Sequence, residues 1–269
     1  DGSTDKSAMI LDKYSQCNNI KIIHQQNMGI SAARNIALKN ICGNYLMFVD
    51  SDDILPDNTI ETLMNLAEEK NADIVEGQYK SFISDDEIDI HKHERFQSSN
   101  LTKLNGYAWG KIISSEKLLN LAFPKGYEYE DTIISTLLIP SCKKIYVTND
   151  VTYYYRKNEQ GIPSALYNRK SSIDTLYITL YCFAEALNRN YKISVEDYLK
   201  QVRLNWIRTK NMPHDVRKAI FIVEVDFFEK NYKIDKTIKK SNLLKLQKTL
   251  QKHSYLGFKW IMNYWEILG

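Results

Sequence analysis

Three carboxylates stand within four residues at the end of an apolar run: Asp50, Asp52 and Asp53 follow Tyr45-Leu-Met-Phe-Val49. Acids this close repel one another and gain little from packing. On extended backbone, residues i and i+2 point the same way. Asp50 and Asp52 can therefore converge on one ion while Asp53 orients the turn. A hard divalent cation takes one or two protein carboxylates and completes its shell with substrate phosphates and water. Alone, such a cluster is more often a turn former or a helix cap. A second acidic group, Glu130 with Asp131 in Tyr127-Glu-Tyr-Glu-Asp-Thr132, also has an ordinary explanation. Acids in a first helical turn interact favourably with the helix dipole.

The elements that must hold these residues follow from the pattern. The apolar run reads as a buried strand, most easily in a parallel sheet, and ligands collect beyond the carboxyl ends of such strands. Helices are expected at 3–14, at 32–40 with Ser31 as cap, and at 59–70, with short strands at 20–24 and 72–75. This alternation predicts a three-layer α/β sheet. Residues 79–103 lose the pattern and read as an excursion loop, in which His91 and His93 have ligand-like spacing but a solvated setting. Helices at 114–121 and 128–138 and strands at 144–147 and 151–155 follow. Beyond Pro163 the chain is helical, at 171–188, 194–210, 213–229 and 236–252. The division expected is 1–165 and 166–269.

The 269 residues, 43% apolar and 26% charged, are ordinary for a soluble globular protein. Cys17, Cys42, Cys142 and Cys182 are widely spaced with no CxxC pair, which excludes a zinc ribbon and points to a reducing cytosol. No uninterrupted apolar span of about 18 residues occurs, so the chain itself is not expected to cross a membrane. A net charge of +3 gives no case for a nucleic-acid partner. Residues 229–253, however, hold eight lysines against two acids, with Leu243, Leu246 and Leu250 at helical spacing and Tyr255, Phe258, Trp260, Tyr264 and Trp265 after them. That pattern in 236–269 suits an anionic membrane surface. A helix packed on the protein with its lysines in water, or a homodimer contact, accounts for it at least as well.

Three blocks together are more specific. Asp1-Gly-Ser-Thr-Asp5, Asn27-Met-Gly-Ile-Ser-Ala-Ala-Arg-Asn35 and Gly43-Asn-Tyr-Leu-Met-Phe-Val-Asp-Ser-Asp-Asp53 closely resemble, in order and spacing, the family 2 glycosyltransferases of GT-A fold. The resemblance covers roughly residues 1 to 160. It implies a nucleotide-sugar donor, a UDP-sugar, and a divalent cation, Mg2+ or Mn2+, at the Asp-x-Asp motif. Asp52 matches the direct metal ligand, and Asp50 the residue that contacts the ribose or reaches the ion through water. Asp1 matches the acid that faces the base. Arg34 matches the arginine near base and phosphates, with Asn27 and Gly29 beside it; a guanidinium fork suits that role, and a surface salt bridge is its plainer reading. Gly29 permits the turn and a close backbone approach.

By the same resemblance Asp131, with Glu130 as its neighbour, matches the catalytic base, which accepts the acceptor hydroxyl's proton as that oxygen attacks the anomeric carbon. The implied transfer inverts the anomeric configuration. Trp109 and Lys111 match a Trp-x-Lys segment on the acceptor side, although buried tryptophans are more often core. Tyr153-Tyr-Tyr-Arg156, followed by Ser164, resembles a segment that closes the donor site, with Arg156 on the diphosphate. The acceptor implied is a saccharide or lipid-linked molecule of bacterial cell-surface polysaccharide synthesis, handled in the cytoplasm or at the inner face of the plasma membrane. Two other readings stand beside this one. A phosphohydrolase of the haloacid dehalogenase type also places Asp-x-Asp after an apolar strand, but expects Thr or Val where Ile54 stands. A catalytically silent nucleotide-sugar-binding fragment is the other. It arises because Asp1-Gly2-Ser3 is turn chemistry that normally follows a strand, so the sequence reads as lacking an amino-terminal strand, with weak donor binding by this stretch alone.

Overall fold

The β-branched and aromatic residues of 74–82 and 145–156 favour extended chain, and these segments form the two long strands. The computed structural model describes residues 1–96, 104–158 and 170–268. Its sheet has four strands: β1 (Tyr45–Met47), β2 (Ile74–Phe82), β3 (Lys111–Ser114) and β4 (Ile145–Arg156), in the order β1-β3-β2-β4. Strand β3 is antiparallel to both β1 and β2, and β2 is parallel to β4. Helices α1 (Ser7–Asp12), α2 (Ile30–Leu38), α3 (Thr59–Lys70) and α4 (Ser115–Leu118) belong to this half. A π-helical segment, Ile134–Leu138, runs on into α5 (Ile139–Ser141). Helices α6 (Asp174–Asn188), α7 (Val195–Arg208), α8 (His214–Asn231), α9 (Ser241–Gln251) and α10 (Tyr255–Leu268) follow.

The expected α/β layering is present. Leu63 and Ala67 of α3 cover one face of the sheet against Val75 and Ile112. On the other face Phe48, Ile74 and Ile113 meet Ile133, Leu137 and Leu138. Ile178, Cys182 and Ala186 of α6 join that same core, while Phe183 of the same helix packs among the carboxyl-terminal helices with Tyr198, Trp206, Phe228 and Leu246. One helix thus serves two cores. The boundary expected at 165/166 lies outside the described residues, as does Ser164.

Several local expectations are corrected. The sheet is mixed rather than parallel, because the stretch leading to Ser114 turns back as β3 between β1 and β2. No strand forms at 20–24: no described segment pairs with it, Ile20 and Ile23 are exposed, and an extended segment needs a neighbour for its backbone groups. The two strands expected at 144–155 are one, whose register against β2 shifts around Gln78. Next to that shift Gly77 lies against Thr152, where a Cβ would overlap the threonine side chain. Ser31 does not cap α2; Gly29, at φ 82°, takes that position and Ser31 is buried inside the first turn. The helix expected from 128 begins only after Tyr129, whose left-handed backbone (φ 63°) interrupts it. The lysine-rich helix α9 buries Leu243, Leu246 and Leu250 in the helical core, so its apolar side is already covered.

Among the described residues, that helical core contains one buried acid. Glu224 of α8 is 1% exposed and its Oε1 accepts a hydrogen bond from Asn205 Nδ2 at 2.9 Å. Burial without a paired cation pushes its carboxyl up to about 8. A raised folded-state value means the native protein holds a proton that the unfolded chain releases near the ordinary glutamate value. Stability from this residue is therefore full below that value and falls as pH rises toward 8. Against Glu224→Gln, the wild-type unfolding free energy should fall by about 1.4 kcal/mol per pH unit between about pH 5 and 8. Urea unfolding of both proteins across that range measures it, and parallel pH profiles would exclude the effect.

Candidate active site

Helix α2 carries Arg34 inward because Asn35, beside it, is clamped: Asn35 Nδ2 donates to Phe123 O and Phe123 N donates to Asn35 Oδ1, both at 2.8 Å. The Arg34 fork then spans the two acidic centres. Nη1 donates to Glu130 Oε1 at 2.8 Å and Nη2 to Asp50 Oδ1 at 3.1 Å. Its side chain is 10% exposed, with Phe123 and Phe48 under the guanidinium at 5.4 and 5.8 Å. Residues 80 positions apart in sequence, Asp50 and Glu130, are thereby held on one cation. The fork expected to face the donor is thus engaged by two carboxylates through Nη1 and Nη2.

The turn after β1 crosses the end of the sheet. Phe48 bridges to Trp109, and Ile54 is paired antiparallel with Tyr154 of β4, on the far edge. Between these pins lie Asp50, Asp52 and Asp53. Asp53 orients the turn, as its position suggested: its Oδ2 accepts from Tyr153 Oη at 2.7 Å and its Oδ1 from the Arg156 backbone N–H at 2.8 Å. Tyr153 Oη also accepts from the Asp50 N–H at 3.2 Å. Burial is the main cause that raises the Asp53 carboxyl. Arg156, expected on the diphosphate, donates from Nε to Asp52 O at 2.7 Å and from Nη2 to Asp85 Oδ1 at 2.7 Å, with its guanidinium 4.4 Å from the Phe82 ring. It braces the turn that carries Asp52.

Glu130 and Asp131 follow Tyr129 in the turn that leads, through Thr132 and Ile133, into the π-helical segment. Burial raises both carboxyls; Arg34 opposes the rise at Glu130, and Arg208 and Arg34 oppose it at Asp131. A carboxylate lifted toward neutral pH is suited to accept a proton.

The residues expected on the acceptor side, Trp109 and Lys111, are both buried. Trp109 is 5% exposed and its ring stacks on Tyr107, Tyr153 and Tyr155 at 4.7, 4.6 and 5.2 Å, so it is part of an aromatic column. Lys111 is fully buried. Its Nζ lies 2.9 Å from Glu76 Oε2 and donates to Asn105 Oδ1 at 2.8 Å and to the Tyr107 and Trp109 carbonyls. It neutralises Glu76 within the sheet. His91 pairs with Asp57 and His93 with Asp150, two separate contacts that share no ligand position.

Asp1, Asn27 and Gly29 gather in the loop that enters α2. Asp1 Oδ1 accepts from the Met28 N–H at 3.0 Å and from Gln25 Nε2, and Asn27 Oδ1 accepts from the Gly29 N–H at 3.2 Å. As for a cation, no group of three or more His, Cys, Asp or Glu among the described residues could hold one. The donor set that is present fits a hard ion that shares its shell with phosphates: Asp52 is exposed and its carboxylate takes no hydrogen bond from the described residues, and Asp50 commits one oxygen to Arg34. Arg208 and Tyr153 are the contributors that sequence reasoning missed as site residues; an arginine at a helix end carries no local signal.

The Arg34 fork yields a direct test. Arg34→Met keeps roughly the volume but leaves Asp50 and Glu130 without their shared cation. The loss expected in urea unfolding at pH 7 is about 3 kcal/mol, the low end for a broken buried pair because Asp50 is part exposed. The loss should shrink at pH 5, since Glu130, with its stabilising charge gone, takes up a proton more readily. A loss within about 0.5 kcal/mol at both pH values, the range of an ordinary surface change, would remove Arg34 from this role.

Comparison with known proteins agrees with the geometry. Residues 1–124 match the profile of glycosyl transferase family 2. The glycosyltransferase GlyG of Streptococcus pneumoniae serotype 4 is 32% identical over 183 residues, 60% of this chain and 60% of that protein. The minor teichoic acid biosynthesis protein GgaB of Bacillus subtilis is 26% identical over 233 residues, 81% of this chain and 26% of GgaB. The chain therefore spans less than two thirds of the length of GlyG and about a quarter of GgaB. Among solved structures, S. aureus TarS 1-349 in complex with UDP-GlcNAc superposes with a TM-score of 0.75 at 17% identity, covering 98% of this chain and 80% of that one. The phosphohydrolase reading falls with these matches. Residues 1–124 thus resemble glycosyl transferase family 2, and the chain carries the GT-A fold.

Proposed function

We propose that the protein moves a sugar from a nucleotide-diphosphate donor, a UDP-sugar, to an acceptor hydroxyl with inversion at the anomeric carbon. The observation that carries this reading is the Arg34 fork, which draws the Asp50–Asp53 turn and the Glu130–Asp131 pair to one place. UDP-GlcNAc in the TarS complex supports the donor class, and GgaB's teichoic acid assignment supports a saccharide or lipid-linked cell-surface acceptor. We divide the chain at 165/166 into a catalytic and a helical part.

In this reading Asp131 takes the acceptor proton, and its raised affinity for protons matches that task. Glu130, held by Arg34, keeps the pair's second carboxylate anchored. Asp1, Asn27 and Gly29 line the donor side, and Arg156 acts by holding the Asp52 backbone. A bound Mg2+ or Mn2+, held by Asp52 with Asp50 behind it, would offset the charge on the departing nucleoside diphosphate.

The test is a panel of nucleotide sugars with either cation, read by transfer or by donor hydrolysis. Asp131→Asn should lower kcat by about 10²–10⁴-fold with UDP affinity unchanged, the range for loss of a base. Asp52→Asn should abolish cation-dependent UDP binding in calorimetry. Full turnover by Asp131→Asn, or cation-dependent UDP binding by Asp52→Asn, would overturn the assignments.

A second contact is proposed for α10. Leu256, Trp260 and Tyr264 form an exposed stripe at helical spacing, while Phe258, Ile261 and Met262 are buried on the other side. With Lys252 and Lys259 exposed nearby, the stripe suits an anionic membrane surface. No helix among the described residues is long and apolar enough to cross a membrane. Sedimentation with phosphatidylglycerol vesicles should be strong for the wild type and lost on joint Leu256→Ser and Trp260→Ser substitution; equal sedimentation of both would exclude the stripe.

A further inference from the structure

The turn that carries Glu130 and Asp131 is gripped from the helical region on two sides. At the start of α6, Asp174 Oδ2 accepts from the Glu128 N–H at 3.1 Å. At the end of α7, the guanidinium carbon of Arg208 lies 4.0 Å from the Tyr129 ring centroid, well inside cation–π range. Tyr129 is held in the left-handed region at φ 63° and is 9% exposed. A bulky residue there is uncommon and persists only where its surroundings fix it.

Arg208 is itself anchored in a buried polar chain. Its Nη1 donates to Thr175 Oγ1 at 3.1 Å, and the Thr175 hydroxyl donates to Asn205 Oδ1 at 2.7 Å. Thr179 Oγ1 donates to the same Asn205 oxygen at 3.0 Å, and Asn205 Nδ2 reaches Glu224. Thr175, Thr179 and Asn205 are each 0% exposed. Such a chain fixes the position of the guanidinium at the seam between the two cores.

We propose that Arg208 is a positioning residue for the Glu130–Asp131 pair: it clamps the Tyr129 turn and sets a fixed positive charge of the helical region against Asp131. The proposal rests on the reading of Asp131 as the base. The charged groups that act on Asp131 are Arg208 and Arg34, which favour its carboxylate, Asp50 and Glu130, which oppose it, and Lys111 from the sheet. Of the three cations, Arg34 is shared by two other acids and Lys111 is paired with Glu76. Arg208 is thus the cation whose place in the fold is tied most directly to the base turn.

The experiment compares wild type, Arg208→Gln, Arg208→Lys and Asp131→Asn in the full protein, with kcat and donor KM followed against pH and UDP affinity by calorimetry. Arg208→Gln should lower kcat by about tenfold, well short of the 10²–10⁴-fold that loss of a base costs, with donor KM and UDP affinity unchanged. Because Arg208 favours the carboxylate, its removal raises the Asp131 value, and the acidic limb of kcat should move to higher pH. Arg208→Lys should bring the limb back, since the charge returns, while kcat recovers only in part without the planar contact on Tyr129. A wild-type kcat and an unmoved limb in Arg208→Gln would overturn the proposal, as would a limb that Arg208→Lys leaves displaced. If Arg208→Gln does not fold, Arg208→Lys decides: a lowered kcat with the wild-type limb supports the role, and wild-type kcat overturns it. Asp131→Asn separates the two layers. Full turnover there defeats the base assignment itself, whereas an inactive Asp131→Asn beside a wild-type Arg208→Gln defeats only the role of Arg208.

Discussion

Four carboxylates in a small volume cannot coexist without cations, and the site is arranged around that constraint. Burial raises the proton affinity of Asp53, Glu130 and Asp131, and the charges of neighbouring carboxylates add to the effect. Arg34 answers with one planar fork that satisfies two of them from separate parts of the chain. Its two phenylalanine neighbours keep water from competing and hold the plane of the fork. Removing charge from either end of this bridge changes the other end, which makes the two acidic segments one unit.

The rest of the architecture keeps that unit in place. On one side the turn after β1 is strung across the sheet and fastened to β4 by the Ile54–Tyr154 pairing and by the Tyr153 hydroxyl, which serves Asp50 and Asp53 together. Trp109 fills the space beneath as part of a stack of rings, so the turn rests on a stiff aromatic floor. On the other side α6 and α7 reach across from the helical region to the Glu130 turn. Helix α6 is committed to both cores, so movement of the helices relative to the sheet is transmitted to the acids.

Exposure is distributed in a way that separates binding from support. The Asp52 carboxylate is in solvent and takes no hydrogen bond from the described residues, while its neighbours Asp50 and Asp53 are tied to Arg34, Tyr153 and Arg156. Lys111 and Arg156, functional by type, are both engaged by protein partners. Charge type alone is thus a poor guide to which group meets a ligand.

The sequence by itself determined the local chemistry. An apolar run ending in acids, glycine before α2, and a clean amphipathic pattern over Thr59–Lys70 are set by neighbours a few residues apart, and each formed as its spacing requires. The three spaced blocks also carried the family resemblance, since motif order survives in one dimension. Only the tertiary structure decided the rest. The strand direction of β3, the merging of two short strands into β4 and the absence of a strand at 20–24 depend on which segment lies alongside, and pairing partners are remote in sequence. The same holds for roles. Lys111 is structural because Glu76 lies across the ladder, Arg34 bridges because two distant turns meet it, and Arg208 meets the Tyr129 turn because a buried polar chain puts it there. Backbone preference and periodicity act over one or two turns, whereas charge pairing and burial are fixed by the closure of the whole fold.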